Sequence, residues 1–145
     1  MPIRTEQNRP GITEVIMDHP PVNALDVAGW FSLADQLIAA GANVVICGRN
    51  EPDREIAEVG PDGTSRTALF VAGDVRNADD VAAIVATTTD TFGRLDLLVN
   101  NAGGAPPSSA ADASPRFIER VIALNLLAPF YCAQAATAAI PSGPP

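Results

Sequence analysis

Residues 95–103 place two asparagines, an alanine and a glycine directly after a short apolar run. Asn100 and Asn101 can hydrogen-bond local backbone where a strand partner ends. Ala102 and Gly103 have almost no side chain, so another molecule can approach the main chain closely. The pattern fits a ligand-binding turn, and it also fits an ordinary turn at the end of a strand, because Asn and Gly are common in both.

Two charged residues follow other predicted strands. Arg49 comes shortly after a strand predicted at residues 43–47, and Asp74 lies just beyond one predicted at residues 67–72. Open α/β sheets bind ligands at the carboxyl ends of their parallel strands. Arg49 can therefore bind an anionic group or be a solvated loop arginine. Asp74 can contact a ligand or cap a turn.

Asn125 and Pro129 together predict a distortion in the last helix. Proline has no N–H, and its ring clashes with the carbonyl four residues earlier, which here belongs to Asn125. The helix must bend there, and we expect that carbonyl to lose its usual partner and to be able to hold a water molecule. The alternative is a buried asparagine whose side chain is satisfied by neighbouring loops.

Alternating strand and helix patterns predict the framework that positions these residues. Strands are predicted at residues 12–17, 43–47, 67–72 and 95–99, and helices at residues 26–41, near Pro52, at 77–93 and at 115–140. The nearly continuous apolar character of the strands indicates a parallel sheet layered between helices, with right-handed crossovers. Local signals mark the helix ends: Asp26, Asn77 and Ser114 as N-caps, and Gly41 and Gly93 as C-terminal stops.

Composition limits the class of protein. With 145 residues, 47% of them hydrophobic, the chain has the size of one domain with a real core. A net charge of −8 argues against nucleic-acid binding. The two cysteines show neither a disulfide framework nor metal-ligand spacing, which predicts a cytoplasmic protein. No apolar signal-peptide region is seen near the N-terminus.

Residues 121–140 carry no charge and could be read as a membrane span. Asn125, Pro129 and Gln134 argue against that interpretation. We expect instead a helix buried between a sheet and a partner subunit, and no membrane insertion.

Residues 37–140 resemble the short-chain dehydrogenase/reductase family. The resemblance rests on the order and spacing of the strand pattern, Arg49, Asp74 with Val75, the Asn-Asn-Ala-Gly turn and Asn125. The resemblance implies a partial Rossmann-like, doubly wound parallel sheet in three layers. It also implies an oxidoreductase that transfers hydride between a nicotinamide and a carbonyl or alcohol substrate. Gly48 stands where an acid would bind the ribose hydroxyls, and Arg49 follows, so the NADP(H) type is implied.

The same resemblance assigns the other site residues. It places Asp74 and Val75 against adenine, and Asn100, Ala102 and Gly103 beside the adenosine ribose and the neighbouring phosphate. The backbone carbonyl of Asn125 would order a water molecule of the catalytic proton relay. The resemblance further implies a homo-oligomer formed through the last helix, and a first strand, residues 12–17, lying centrally between the second and fourth strands.

Three family features have no counterpart in the sequence. The catalytic Tyr-x-x-x-Lys pair has no counterpart, because the nine basic residues are all arginines and the single tyrosine, Tyr131, is followed at plus four by Ala135. The strand that would carry the catalytic serine is not present either. The glycines of the phosphate-binding turn would fall on Ala24, Ala28 and Trp30. We therefore expect a chain truncated after the fourth strand-helix unit and inactive by itself.

Residues 11–36 resemble instead the opening strand and turn of crotonase-fold enoyl-CoA hydratases. The predicted organisation is a disordered N-terminus at residues 1–10, one incomplete NAD(P)-binding domain at 11–140 with a junction near 34–38, and a disordered tail at 141–145. Three hypotheses follow: a truncated or fused NADP(H)-dependent oxidoreductase, a non-catalytic self-associating remnant, and an acyl-CoA-handling protein.

Overall fold

The structure, a computed structural model, describes residues 3–18 and 26–141. Its elements in chain order are β1 (Ile3–Arg9), β2 (Ile12–Met17), α1 (Val27–Ala39), β3 (Val45–Gly48), β4 (Ala57–Val59), β5 (Ser65–Thr67), β6 (Leu69–Ala72), α2 (Ala78–Phe92), α3 (Pro115–Ile122), a π-helical turn (Ala123–Leu127) and α4 (Ala128–Thr137). No helix in the described part of the chain is long and apolar enough to cross a membrane.

The chain divides into two compact units: Met1–Ile46 with Pro52–Phe70, and Cys47–Glu51 with Val71–Pro145. In the first unit, α1 begins at Asp26, whose carboxylate accepts the N–H of Gly29 at 2.8 Å. The α1 side chains Ala34 and Ile38 are buried against Ile56 and form its core cluster. The single domain predicted for residues 11–140 stays a prediction.

The N-terminal segment is a hairpin. β1 pairs antiparallel with β2, Ile3 is only 1% exposed, and Gly11 turns the chain with a φ of +74°. The predicted disorder of residues 1–10 is therefore wrong for their described part. The predicted central position of residues 12–17 in a parallel sheet is wrong too, because β2 belongs to a two-stranded antiparallel sheet with β1.

A second hairpin replaces the helix predicted near Pro52. β4 and β5 pair antiparallel. The turn between them is held by Asp62, which accepts the N–H of Thr64 at 3.0 Å and pairs with Arg66 at 2.7 Å. The helix prediction was wrong because the Asp62 turn closes a ladder here. The predicted third strand appears as the shorter β6.

β3 and β6 form the parallel pair that the sequence predicts. The N–H of Leu69 donates to the carbonyl of Val44 at 2.9 Å, and the N–H of Gly73 donates to that of Gly48 at 3.0 Å. The equal residue offset of these two bonds means that the strands run in the same direction.

The strand predicted at residues 95–99 is not present. The chain has neither helix nor strand from residue 94 to residue 114, and Leu97 and Val99 are 63% and 49% exposed. This strand was expected to pair with residues 12–17, which pair with β1 instead. Residues 95–99 therefore belong to none of the three two-stranded sheets in the described part of the chain.

The helix ends of the second unit are where the sequence predicts them. The side chain of Asn77 accepts the N–H of Asp79 at the start of α2, and Gly93 ends this helix in the left-handed conformation. Ser114 caps α3 by accepting the N–H of Phe117 at 3.2 Å. The predicted tail at residues 141–145 lies, apart from Pro141, outside the described residues.

Candidate functional site

Arg49 and Asp74 lie side by side at the carboxyl edge of the parallel pair. The hydrogen bond from Gly73 to Gly48 fixes the register, and each charged residue is the next one along its chain. Arg49 is exposed and makes no hydrogen bond or ion pair within the described residues. The structure thus brings together two of the residues that the sequence singles out.

The carboxylate of Asp74 is held by Arg76. The Nε of Arg76 donates to both carboxylate oxygens, at 2.9 and 3.1 Å, its Nη2 also contacts Oδ2, and its backbone N–H donates to Oδ1 at 3.0 Å. Chiefly through the side-chain bonds, and with a smaller effect of the nearby Arg49 charge, the pKa of Asp74 falls to about 2. The turn-capping role is present, and contact with adenine stays a prediction.

The turn is braced from α2. The N–H of Asp74 donates to Oδ2 of Asp80 at 2.8 Å. A Cβ on Gly73 would lie 2.9 Å from Cδ1 of Ile84, so only glycine fits there without a shift. Sequence reasoning missed Arg76 and Asp80, although a donor two residues after an aspartate is a typical signal of this turn. Val75 is half-buried in it.

Asn125 lies in the π-helical turn. The N–H of Ala128 bonds to the carbonyl of Ala123, five residues earlier, and Pro129 stands in the first turn of α4. The first turn of a helix needs no N–H from its residues, so proline is accommodated there. The distortion is at the predicted place and has the form of a widened turn. The free carbonyl of Asn125 stays a prediction.

The side chain of Asn125 holds the loop that precedes α3. Its Oδ1 accepts the N–H of Gly104 at 2.7 Å, and its Nδ2 donates to the carbonyls of Gly104 and Val121 at 3.0 and 2.8 Å. Asn125 is exposed, so the alternative of a buried asparagine is wrong about burial and right about the loop. Gly104, with a φ of +114°, was missed by sequence reasoning.

The Asn-Asn-Ala-Gly turn is exposed along its whole length. Gly103 lies against Asn125, since a Cβ at this glycine would be 3.0 Å from Oδ1. Within the part of the chain that the structure describes, no hydrogen bond or ion pair joins Asn100 or Ala102 to Arg49 or Asp74. Among the predicted site residues, the contacts of the structure thus join Arg49 with Asp74 at the strand ends and Gly103 with Asn125 at the π-helical turn.

The properties of the two cysteine thiols argue against a nucleophilic or metal-binding role. Partial burial raises the pKa of Cys47 and of Cys132, and Cys47 raises that of Cys132 further. Both thiols are therefore protonated at neutral pH. In residues 3–18 and 26–141, no three His, Cys, Asp or Glu side chains are arranged to hold a metal ion.

The site at the ends of β3 and β6 is suited to binding an anionic ligand through Arg49.

Comparison with known proteins gives consistent matches. Residues 31–144 match the family described as short chain dehydrogenase. L-fucose dehydrogenase of Oryctolagus cuniculus is 35% identical over 96 residues, which are 66% of this chain and 32% of that protein. The peroxisomal 2,4-dienoyl-CoA reductase of Arabidopsis thaliana is 30% identical over 115 residues, or 79% and 39% of the two chains. The chain spans about a third of the length of these curated relatives.

Solved structures show the same likeness. A short chain dehydrogenase from Bacillus anthracis superposes with a TM-score of 0.59 at 32% identity, over 72% of this chain and 44% of that one. A short-chain dehydrogenase/reductase variant from Serratia marcescens gives a TM-score of 0.67 at 24% identity, over 76% and 45%. The predicted α/β class, part of a Rossmann-like doubly wound fold, is confirmed.

Proposed function

Because the chain belongs to the short-chain dehydrogenase family, we propose that it carries the adenosine-binding half of an NADP(H) site. The oxidoreductase built on this site acts on a carbonyl or alcohol substrate. When bound, the cofactor supplies or accepts the hydride, and the protein supplies binding and orientation.

The observation that supports this proposal is the guanidinium of Arg49 at the carboxyl edge of β3 and β6, which has no hydrogen-bond or ion-pair partner among residues 3–18 and 26–141. A guanidinium presents a planar fork of donors that matches the oxygens of a phosphate group. Gly48 before it has no carboxylate to bind the ribose hydroxyls or to repel a 2′-phosphate. The charge and position of Arg49 therefore fit the 2′-phosphate of NADP(H).

The other assignments belong to the same proposal. Asp74 and Val75 lie in the turn beside Arg49, where adenine would rest. Asn100, Ala102 and Gly103 are exposed and small or polar, which leaves their backbone accessible to the ribose and the neighbouring phosphate.

Asn125 is the proposed catalytic contributor, through its backbone carbonyl and an ordered water molecule. The π-helical turn and the missing N–H of Pro129 support this role, because both remove regular helical donors from this region. The 145 residues contain no lysine for a Tyr-x-x-x-Lys pair, so we propose that this chain alone does not turn over substrate.

Calorimetric titration with NADPH and NADH tests the proposal. We expect NADPH to bind about tenfold more tightly, the effect of one charge-assisted contact to phosphate. Arg49→Gln should abolish the difference. Arg116→Gln, which makes the same change of charge on α3, is the control and should keep the difference in affinity between NADPH and NADH. Equal affinities in the unmodified chain, or a difference that survives Arg49→Gln, would overturn the proposal.

Self-association is a second candidate, favoured by large apolar side chains that α3, the π-helical turn and α4 expose. These are Ile118 at 45%, Ile122 at 44%, Leu126 at 53% and Phe130 at 66%. An exposed group of this kind is typical of a contact with another protein. We propose that a second copy of the chain covers it, in a cytoplasmic protein. The acyl-CoA hypothesis rests on residues 11–36, which lie mostly outside the family match, and stays a prediction.

A further inference from the structure

We propose that Arg76 is a positioning residue that occupies the carboxylate of Asp74 and so keeps the guanidinium of Arg49 free for a phosphate group. This inference rests on the proposed NADP(H) function. It assigns to Arg76 a part in cofactor selectivity without any contact with the cofactor.

The first step is that Arg49 and Asp74 are natural partners. The bond from the Gly73 N–H to the Gly48 carbonyl, 3.0 Å long, makes them neighbours on adjacent parallel strands. They carry opposite charges, and the Arg49 charge already acts on the Asp74 carboxyl. A neighbouring carboxylate without another partner would attract the Arg49 side chain and neutralise it.

The second step is that Arg76 takes this carboxylate first. Its Nε donates to Oδ1 at 2.9 Å and to Oδ2 at 3.1 Å, and its backbone N–H adds a bond of 3.0 Å to Oδ1. The Arg76 and Asp74 side chains are only 32% and 28% exposed, whereas those of the surface pair Arg94 and Asp96 are 45% and 54% exposed. Water therefore screens the Asp74 pair less than that surface pair.

The consequence is that Arg49, Asp74 and Arg76 together contribute two cations and one carboxylate, while the carboxylate of Asp80 accepts the backbone N–H of Asp74. The charges of Asp74 and Arg76 neutralise each other, and the charge of Arg49 remains available to bind an anion. If Arg76 is made neutral, Asp74 is left to pair with Arg49 and to repel an incoming phosphate. Binding of a 2′-phosphate must then first break that new ion pair.

The test uses the full chain and the variants Arg76→Gln, Asp74→Asn and the double variant. The arginine Nε–H resonances are recorded by NMR without ligand, and 2′,5′-ADP and 5′-ADP are titrated. In Arg76→Gln we expect the Arg49 Nε–H to become protected from exchange and the affinity for 2′,5′-ADP to fall about three- to tenfold. The affinity for 5′-ADP should not change. The double variant should recover the ratio of the affinities for 2′,5′-ADP and 5′-ADP, in which any effect of Asp74→Asn on adenine binding cancels, and Arg76→Lys, which keeps the charge, should retain most of this ratio.

Two outcomes would overturn the inference: an Arg49 Nε–H that does not respond to Arg76→Gln, or a double variant whose ratio of affinities for 2′,5′-ADP and 5′-ADP is no higher than that of Arg76→Gln. Failure of the proposed function looks different. In that case the unmodified chain binds 2′,5′-ADP and 5′-ADP equally well, while the NMR measurement without ligand still reports whether Arg76 keeps Arg49 free.

Discussion

The side-chain amide of Asn125 binds both polar backbone groups of Gly104, although the two residues are 21 positions apart. Oδ1 accepts the Gly104 N–H at 2.7 Å, and Nδ2 donates to the Gly104 carbonyl at 3.0 Å. The stretch between α2 and α3 has no helix or strand, so this pair of bonds ties an irregular loop to the last helical segment. Gly103, the last residue of the Asn-Asn-Ala-Gly turn, lies directly before the bonded residue, and a Cβ there would be 3.0 Å from Oδ1 of Asn125.

Replacing Asn125 with Ala should release this loop. We expect the Gly104 amide to exchange with solvent markedly faster, and the free energy of unfolding to fall by about 1–2 kcal/mol, because three hydrogen bonds of an exposed side chain are lost. Hydrogen exchange by NMR and urea unfolding measure the two effects. Asn101→Ala, in the exposed Asn-Asn-Ala-Gly turn, is the control and should leave the exchange rate of the Gly104 amide unchanged. An unaltered Gly104 exchange rate in Asn125→Ala would contradict the prediction.

The N-cap of α2 offers a second measurement. The Asn77 side chain accepts the N–H of Asp79 at 3.0 Å, so Asn77→Ala should destabilise the chain by about 1 kcal/mol. Asn77→Ser keeps an acceptor oxygen and should recover most of this loss. Urea unfolding of the unmodified chain and of the two variants measures this difference. Equal losses of unfolding free energy in both variants would show that the cap bond is not the cause.

Stability should depend on the ionisation of Asp74 in acid. Its pKa is about 2 in the folded chain, below the ordinary value of 3.8, because Arg76 binds the ionised form. The contribution of this carboxylate to stability is therefore complete above pH 3.8 and is lost as the pH falls towards 2. Unfolding free energies measured from pH 5 to pH 2 should show a smaller decline in Asp74→Asn. Arg76→Gln should reduce the decline as well, and unchanged curves in both variants would contradict the assignment.

The exposed apolar side chains of the last helical segment predict association. Phe130→Ser and Leu126→Ser remove the two most exposed of these groups and should shift the chain towards monomer in analytical ultracentrifugation. Met17→Ser, at a residue 42% exposed on β2, is the matched control and should not shift it. A monomeric unmodified chain at micromolar concentration would exclude this interface.

Helix boundaries could be predicted from the sequence because their signals are local. Asp26, Asn77 and Ser114 each accept an N–H from two or three residues ahead, and such a contact depends only on neighbouring residues. Strand partners could not be predicted in the same way. The polar segment Ile3–Arg9 gives little sign of a strand, yet it pairs antiparallel with β2, and residues 95–99, which were expected to pair with that strand, form no ladder.

The candidate site was predictable to a similar extent. Arg49 and Asp74 follow apolar strands, and the parallel pairing of those strands brings them to one edge. Arg76 and Gly104 were not found, because their importance comes from the particular acceptor or donor that each one meets. Asp74 signals a turn closed by the backbone N–H of Arg76, but no local pattern marks the Arg76 side chain as a partner of the carboxylate, and a second glycine in a row is not distinctive.

The π-helical turn also determines which side chains of α4 face the rest of the protein. A turn closed by a bond over five residues holds one residue more than an α-helical turn. Every side chain after it is therefore rotated by about 100° around the axis from its position on an uninterrupted α-helix. Deleting a single residue between Ala123 and Leu127 would turn the π-helical turn into an α-helical one and leave Ala128 and Ala136 buried, whereas an uninterrupted α-helix of the unchanged sequence would rotate both of them away from their packing partners.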